Sequence, residues 1–368
     1  MKFFVEKSEL QEAISKVQKA ITNKTTMPIL EGILIKAENN KLILIGSNTE
    51  LTIETKINAD VIEDGSIVIE SKLFGEIIKK LPNSQIEIHS IDDNSINIKC
   101  LKSTATFIHM DAADYPKTPQ INENMIFSIP QKLLKNMIKG TIFAIAQDET
   151  RPILTGVLFQ VKNKKLNLVA LDGYRVAVRT ENIDNDNVIN AVIPGKTLNE
   201  VAKILEESDE PVHITFTPNH ILFNLGNTKV LSILLKGEFI KYESIIPNEY
   251  NLKAIVKKNE ILNSIEIASL IGKEGSNNLV KLDIKDDTII VTSNSQLGTV
   301  REEVNIILQG ESVKIAFNSK YLIDVFKIME EEEIVMEFSS SISPCVVKNK
   351  ENDNCTYLLL PVRLANNN

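Results

Sequence analysis

The sequence predicts an α+β fold written as three copies of one module, on three observations. Lysines recur at a single interval: Lys72, Lys196 and Lys320 stand 124 residues apart (196 − 72 = 320 − 196 = 124), and Lys79, Lys203 and Lys327 repeat the step. Each lysine pair lies in a segment of matching apolar spacing, 71–81, 195–205 and 319–329. Finally, ILEGILIKAENNKLILI (29–45) matches ILTGVLFQVKNKKLNLV (153–169) at 8 of 17 positions. A period near 120 exceeds the roughly 20–50 residues of a solenoid repeat, so each copy is a domain-sized unit with its own core.

Each module opens with a strand and a helix: FFVEKSELQEAISKVQKAI from Phe3, FSIPQKLLKNMIKGTIFAI from Phe127 and AIVKKNEILNSIEIASLI from Ala254. A hairpin with an Asn-rich tip follows in the first two copies. In the third, LVKLDIKDDTIIV (279–291) keeps the alternation and puts Asp286-Asp287 at the turn. Next comes the lysine-bearing helix. Leu73, Phe74, Ile77, Ile78 and Leu81, then Leu198, Val201, Ala202 and Leu205, then Tyr321, Leu322, Val325, Phe326 and Met329 form apolar stripes at helical spacing. The lysines, with Glu76, Glu200 or Asp324 between them, fall on the opposite face. Further strands close each copy. Two Pro-containing stretches, 114–124 and 245–251, place the boundaries, giving modules 1–121, 122–247 and 248–368.

Composition excludes several function classes. The formal net charge of −8 is not that of a simple basic nucleic-acid binder, although Lys132, Lys135 and Lys139 form a basic stripe at i, i+3 and i+7. No apolar run reaches the roughly 18–20 residues of a membrane span and no signal-peptide layout opens the chain, so a cytoplasmic protein is expected. Cys100, Cys345 and Cys355 lack C-x-x-C spacing, and His89, His109, His213 and His220 lack zinc-site spacing; neither a metal nor a cofactor is expected. Gly195-Lys196-Thr197 ends like a phosphate-binding loop, but position 190 is Asn where that loop needs glycine, and Lys196 is already explained by the repeat. Tyr174-Arg175 stands out because module one carries Glu50-Leu51 at the equivalent positions. Function and drift both account for such a departure.

Taken in order, the opening MKFFVEKSEL, the Met27-Pro28-Ile29-Leu30 turn, Asp111-x-x-Asp114-Tyr115-Pro116, Asp172-Gly173-Tyr174-Arg175, Phe317-Asn318-x-x-Tyr321 and Leu360-Pro361-Val362-Arg363-Leu364 make the whole chain resemble the bacterial sliding clamps, the beta subunits of DNA polymerase III. The resemblance implies three clamp domains with two helices each on an inner side and antiparallel sheets outside. It also implies a ring-shaped head-to-tail homodimer around duplex DNA that acts as a non-catalytic processivity factor. The register lysines Lys72, Lys79, Lys196, Lys203, Lys320 and Lys327, with Lys132, Lys135 and Lys139, then line a hole and contact phosphates without reading sequence. Lys24 matches a basic position on the DNA side, and the acidic loop 147–151 matches a second one.

The same resemblance implies an apolar pocket for a short peptide from the polymerase alpha subunit, the clamp loader, other polymerases and repair proteins. Its matching positions are Leu154, Leu171, Gly173, Tyr174, Arg175, Val176, Asn318, Tyr321, Ile342, Pro344, Leu358, Leu359, Leu360, Pro361, Val362 and Arg363. On the rim, Ile240 and Ser244 stand where several relatives carry proline and arginine. Phe107, Leu270 and Ile271 match dimer-interface positions, with ordinary core as the other reading. The expected setting is the cytoplasm, associated with the nucleoid. Two other classes stay open: a nucleotide-dependent enzyme using Lys196, and a three-domain peptide scaffold that never encircles DNA.

Overall fold

The computed structural model describes residues 1–22, 25–119, 121, 127–274 and 278–363. Lys24, one of the expected DNA-side residues, lies outside them. Each module carries two helices among the described residues: α1 Lys7–Val17 and α2 Ser71–Lys80, α3 Gln131–Ile142 and α4 Gly195–Ile204, α5 Lys258–Glu274 and α6 Ser319–Ile328. The lysine segments are thus helices at the repeat interval, as the spacing predicts. Phe74 and Ile78 of α2 are fully buried and Lys72 and Lys79 exposed, whereas Leu73, placed in the apolar stripe, is half exposed. Side chains start these helices: Glu70 accepts from the backbone N–H groups of Lys72 and Leu73, and Asn318 accepts from that of Lys320 at 3.0 Å.

The hairpin tips obey a backbone rule. Asn39-Asn40, Asn163-Lys164 and Asp286-Asp287 all have φ between 49° and 58°. A two-residue turn that follows the twist of its strands needs left-handed φ at both positions, which Asn and Asp tolerate best.

Contacts divide the chain into two compact units, Met1–Leu134 with Asn199–Leu234, and Lys135–Leu198 with Leu235–Asn368. The cut passes through α3 and α4 of module two, because the sheets do not respect the sequence repeat. In the first unit a five-stranded sheet runs Asp60–Glu63, Lys2–Glu6, Gln85–Ser90, Ser95–Cys100, Ser103–Ile108. A nine-stranded sheet joins the strands of module one to those of module two, where Leu51–Asn58 pairs antiparallel with Thr228–Ile233. In the second unit a twelve-stranded sheet joins modules two and three, where Arg175–Asn182 pairs with Cys355–Leu359.

These two seams have one design. The first runs from Leu51 opposite Ser232 to Thr55 opposite Thr228, and the second from Arg175 opposite Leu359 to Arg179 opposite Cys355. Beyond one end the Ile233 N–H donates to the Glu50 carbonyl, and the Leu360 N–H to the Tyr174 carbonyl, both at 2.9 Å. Beyond the other end, Lys56 N–H donates to Asn227 and Thr180 N–H to Asn354, again at 2.9 Å. The partners differ by 124 on one strand (175 − 51) and 127 on the other (359 − 232), so each hydrogen bond of one seam has its copy in the other.

Among the described residues, two unpaired edges are equivalent to the strands that form the seams. Ser103–Ile108 pairs only with Ser95–Cys100. The long strand Gly298–Gly310 pairs with Thr288–Ser295 through residues 298–305 and meets Leu252–Lys257 only from Ile306 onward, so 298–305 keeps one open edge among the described residues.

Candidate binding site

The second unit gathers most of the residues expected in a peptide pocket. Strands Lys165–Leu171, Arg175–Asn182 and Cys355–Leu359 lie side by side, and period-two alternation turns Val169, Leu171, Val176, Val178 and Leu358 to one face. They form a buried apolar cluster with Leu154, Leu158, Val192, Tyr242 and Val346, flanked by half-buried Ile153, Leu235, Phe239 and Ile246. The Tyr242 hydroxyl donates to Gln160 at 2.8 Å, and burial pushes its ionisation upward. Leu359, one residue along from Leu358, is equally buried but does not join this cluster. Alternation sends it to the other side of the sheet, which the sequence match could not distinguish.

Arg175 fixes the rim. Asp172 Oδ1 accepts from the backbone N–H groups of Tyr174 and Arg175 at 2.9 and 3.1 Å, closing the turn over Gly173, whose φ of 91° suits glycine. The buried Arg175 guanidinium donates through Nε to Asp172 at 3.1 Å, through Nη1 to Asp324 at 2.6 Å and through Nη2 to the Phe143 carbonyl at 2.6 Å. It also lies 4.6 Å from the centre of the Tyr321 ring and 5.2 Å from that of Phe143. Tyr321, its hydroxyl pKa raised chiefly by burial, stacks on the exposed Tyr174 at 6.1 Å. With three acceptors and two rings engaged, Arg175 is a structural tie.

The remaining expected residues fall around this rim in part. Leu360 N–H donates to Tyr174 and Val362 N–H to Ala316 at 2.8 Å, which pins the C-terminal segment with Pro361 half-buried and Arg363 exposed. Asn318 caps α6, which carries Tyr321. Ile342 and Pro344 sit in the turn between Glu333–Phe338 and Cys345–Asn349, with Ile342 exposed, and Ile240 is more than a third exposed next to Phe239. Sequence matching missed Val178, Leu158, Val169, Val192, Tyr242 and Val346 in the cluster, and Phe143 and Asp324 behind Arg175. The alternation of Val176 and Val178 was the available signal for the first of these.

All six register lysines are exposed, as are Lys132 and Lys139, while Lys135 is half-buried. Acidic side chains accompany some of them: Glu200 meets Lys203 at 2.6 Å, Glu266 meets Lys327 at 2.7 Å, and Glu149 of the acidic loop lies 3.9 Å from Lys196. Gly195, the residue that suggested a phosphate loop, has a packing reason: a Cβ there would collide with the Ile145 side chain and the Thr155 carbonyl. Of the interface positions, Phe107 is buried edge-to-face on Phe74 at 6.1 Å, whereas its neighbour Ile108 is 83% exposed. Leu270 is exposed and Ile271 half-buried.

Comparison with known proteins gives one answer along the whole chain. Sequence models of the DNA polymerase III beta subunit match its N-terminal domain to residues 1–119, its central domain to 128–241 and its C-terminal domain to 243–363. The beta sliding clamp of Bacillus subtilis is 37% identical over 376 residues, covering 99% of this chain and all of the relative, and that of Staphylococcus epidermidis is 35% identical over 374 residues, covering 99% of each. The crystal structure of the Bacillus subtilis DNA polymerase sliding clamp superposes with a TM-score of 0.96, covering 99% of this chain and 100% of that one at 37% identity. The Pseudomonas aeruginosa clamp bound to griselimycin superposes at 0.94 with 26% identity over the same shares. The chain therefore belongs to the DNA polymerase III beta subunit family, the bacterial sliding clamps, non-catalytic processivity subunits of the replicative polymerase that bind DNA and polymerase partners.

Proposed function

We propose that two copies of this chain close head to tail into a ring of six modules around duplex DNA, with module boundaries at 121/122 and 247/248. The open strand edges carry this reading. The chain makes the same seam twice and leaves one copy of each complementary edge unpaired, Ser103–Ile108 and residues 298–305. Pairing both edges in a second copy removes two exposed strand edges at once and yields closed symmetry. Leu270 and Ile271 border that closure, and Ile108 rather than Phe107 offers the exposed side chain.

Within the ring, Lys72, Lys79, Lys132, Lys135, Lys139, Lys196, Lys203, Lys320 and Lys327 face the duplex, joined by Lys24. Long, exposed lysines neutralise phosphates through mobile contacts, and interspersed Glu200 and Glu266 keep the hold weak enough to slide. The apolar cluster around Val176 and Leu358, rimmed by Tyr174, Tyr321 and Leu360, takes a short apolar peptide from the polymerase alpha subunit, the loader or repair proteins. The site of action is the nucleoid in the cytoplasm.

Retention on DNA by enclosure is the test. Protein loaded onto a nicked circular plasmid should stay bound through gel filtration, and cutting the plasmid should release it. Equal retention before and after cutting would overturn encirclement.

A further inference from the structure

The seam register fixes which residues meet at the closure, and it singles out a turn with an unusual composition. Buried Ile96 and Ile98 of module one match Ile221 and Phe223 of module two at an interval of 125, so Leu101 stands where module two has Gly226. Both residues are left-handed, with φ of 53° at Leu101 and 77° at Gly226. Leucine in that conformation is strained where glycine is not, and this one is 65% exposed.

The residue after Gly226 shows which helix face lies beside this turn. Asn227 accepts the seam hydrogen bond from Lys56 and lines a cleft of about 270 Å³ with Glu9, Glu12, Ala13 and Lys16 of α1. Fully buried Leu10, Ile14 and Val17 of α1 match Ile261, Ile265 and Ala268 of α5 at an interval of 251. Lys16 is therefore replaced by Ile267, which is 44% exposed. At the first seam the turn residue is Gly226 and the helix residue is Lys16, held by Glu12 at 2.7 Å, and at the second the corresponding residues are Asp353 and Gly140. Only the unclosed seam has an aliphatic side chain at both positions.

We propose that Leu101 of each chain docks on Ile267 of α5 in a second copy, an apolar lock at one end of the third seam. The proposal rests on the ring reading. The strand register is the same throughout: with the Asp286-Asp287 turn matching Asn163-Lys164 at an interval of 123, Gly298 to Glu302 of one chain pair with Phe107 to Ser103 of the other. That register sets Ile108 N–H on the Leu297 carbonyl at the opposite end, joining two side chains that are 83% and 73% exposed in the single chain. Loss of strain is not needed for the lock, because burial of two aliphatic side chains offsets a left-handed leucine.

Sedimentation of the full-length protein, Leu101→Gly, Ile267→Lys and the double variant tests this. Wild type should dimerise. Each closed ring holds the contact twice, and at about tenfold per contact each single variant should raise the dimer dissociation constant about a hundredfold. The double variant should be no weaker than the weaker single, since both remove one contact. Leu101→Gly should melt no lower than wild type when both are monomeric, because glycine suits the turn. A dimeric wild type with unchanged affinity in Leu101→Gly, or additive losses in the double variant, overturns the lock and leaves the ring standing. A monomeric wild type overturns both.

Discussion

The two seams inside the chain share a backbone and differ in chemistry. At the first, Ser47 and Thr52 exchange a hydroxyl hydrogen bond at 2.8 Å, Glu54 follows, and the adjoining cleft of about 1020 Å³ is lined by Lys36, Glu54, Asp111, Lys117 and Lys229 besides Leu34, Ile45 and Tyr115. At the second, the residues 124 further on are Leu171, Val176 and Val178, and all three are buried in one apolar cluster. Each seam receives a buried tyrosine from the connection that follows it, Tyr115 or Tyr242. Covering the first with an apolar peptide would strip water from hydroxyls and charges without replacing their partners, while the cluster at the second is mainly hydrocarbon and would lose little. Architecture is therefore carried by the repeated ladder, and the chemical contrast between the seams by a few side chains on it.

The largest test of that contrast transplants one seam onto the other. Leu171→Ser with Val176→Thr and Val178→Glu should weaken binding of a fluorescein-labelled polymerase peptide at least a hundredfold, read by anisotropy, without changing the sedimentation of the dimer. Binding within threefold of wild type would mean that the cluster is not the pocket. A second perturbation removes the tie that only the second seam has. Arg175→Ala leaves Asp172 and Asp324 without their cation and should cost about 3 kcal/mol in urea unfolding, with Arg175→Lys recovering little because lysine lacks the planar fork.

Glutamate at all six register lysines leaves both seams intact and so separates DNA contact from peptide capture. Retention on nicked plasmid should fall by about tenfold or more, while peptide affinity and melting stay near wild type, since exposed substitutions typically change stability by about 0.5 kcal/mol or less. The smallest effect concerns Cys355, opposite Arg179 in the second seam, where the first has a Thr55–Thr228 hydroxyl pair at 2.9 Å. Burial pushes the Cys355 thiol up from 9.0 to about 11. Its contribution to stability is complete below pH 9 and is lost as pH rises through about 11, because the unfolded chain ionises first. Cys355→Ala should flatten the urea midpoint against pH over that window.

Much of this was legible in the sequence because it is periodic. Lysine spacing gave the helices, Asn and Asp pairs gave the hairpin tips, and the break at Tyr174-Arg175 marked a candidate functional hairpin. What escaped was whatever depends on pairing between distant strands. Leu358 and Leu359 look alike until the opposite strand decides which one joins the apolar cluster, and Asp324 reads as a spacer between lysines until Arg175 arrives from 149 residues away. The module boundaries expected at prolines say nothing of the nine- and twelve-stranded sheets that join neighbouring modules, where an exposed strand edge is more costly than a shared one.

The open edges on Ser103–Ile108 and residues 298–305 also decide how such a ring can be taken apart. Two of every three seams are held by a continuous chain, so separating their strands leaves the modules tethered and ready to rejoin. The third has no tether, and its strength depends on protein concentration. On the proposed ring an opening machine would act at that seam alone, and substitutions there would tune the lifetime of the ring while the apolar cluster around Val176, built on a tethered seam, is left untouched.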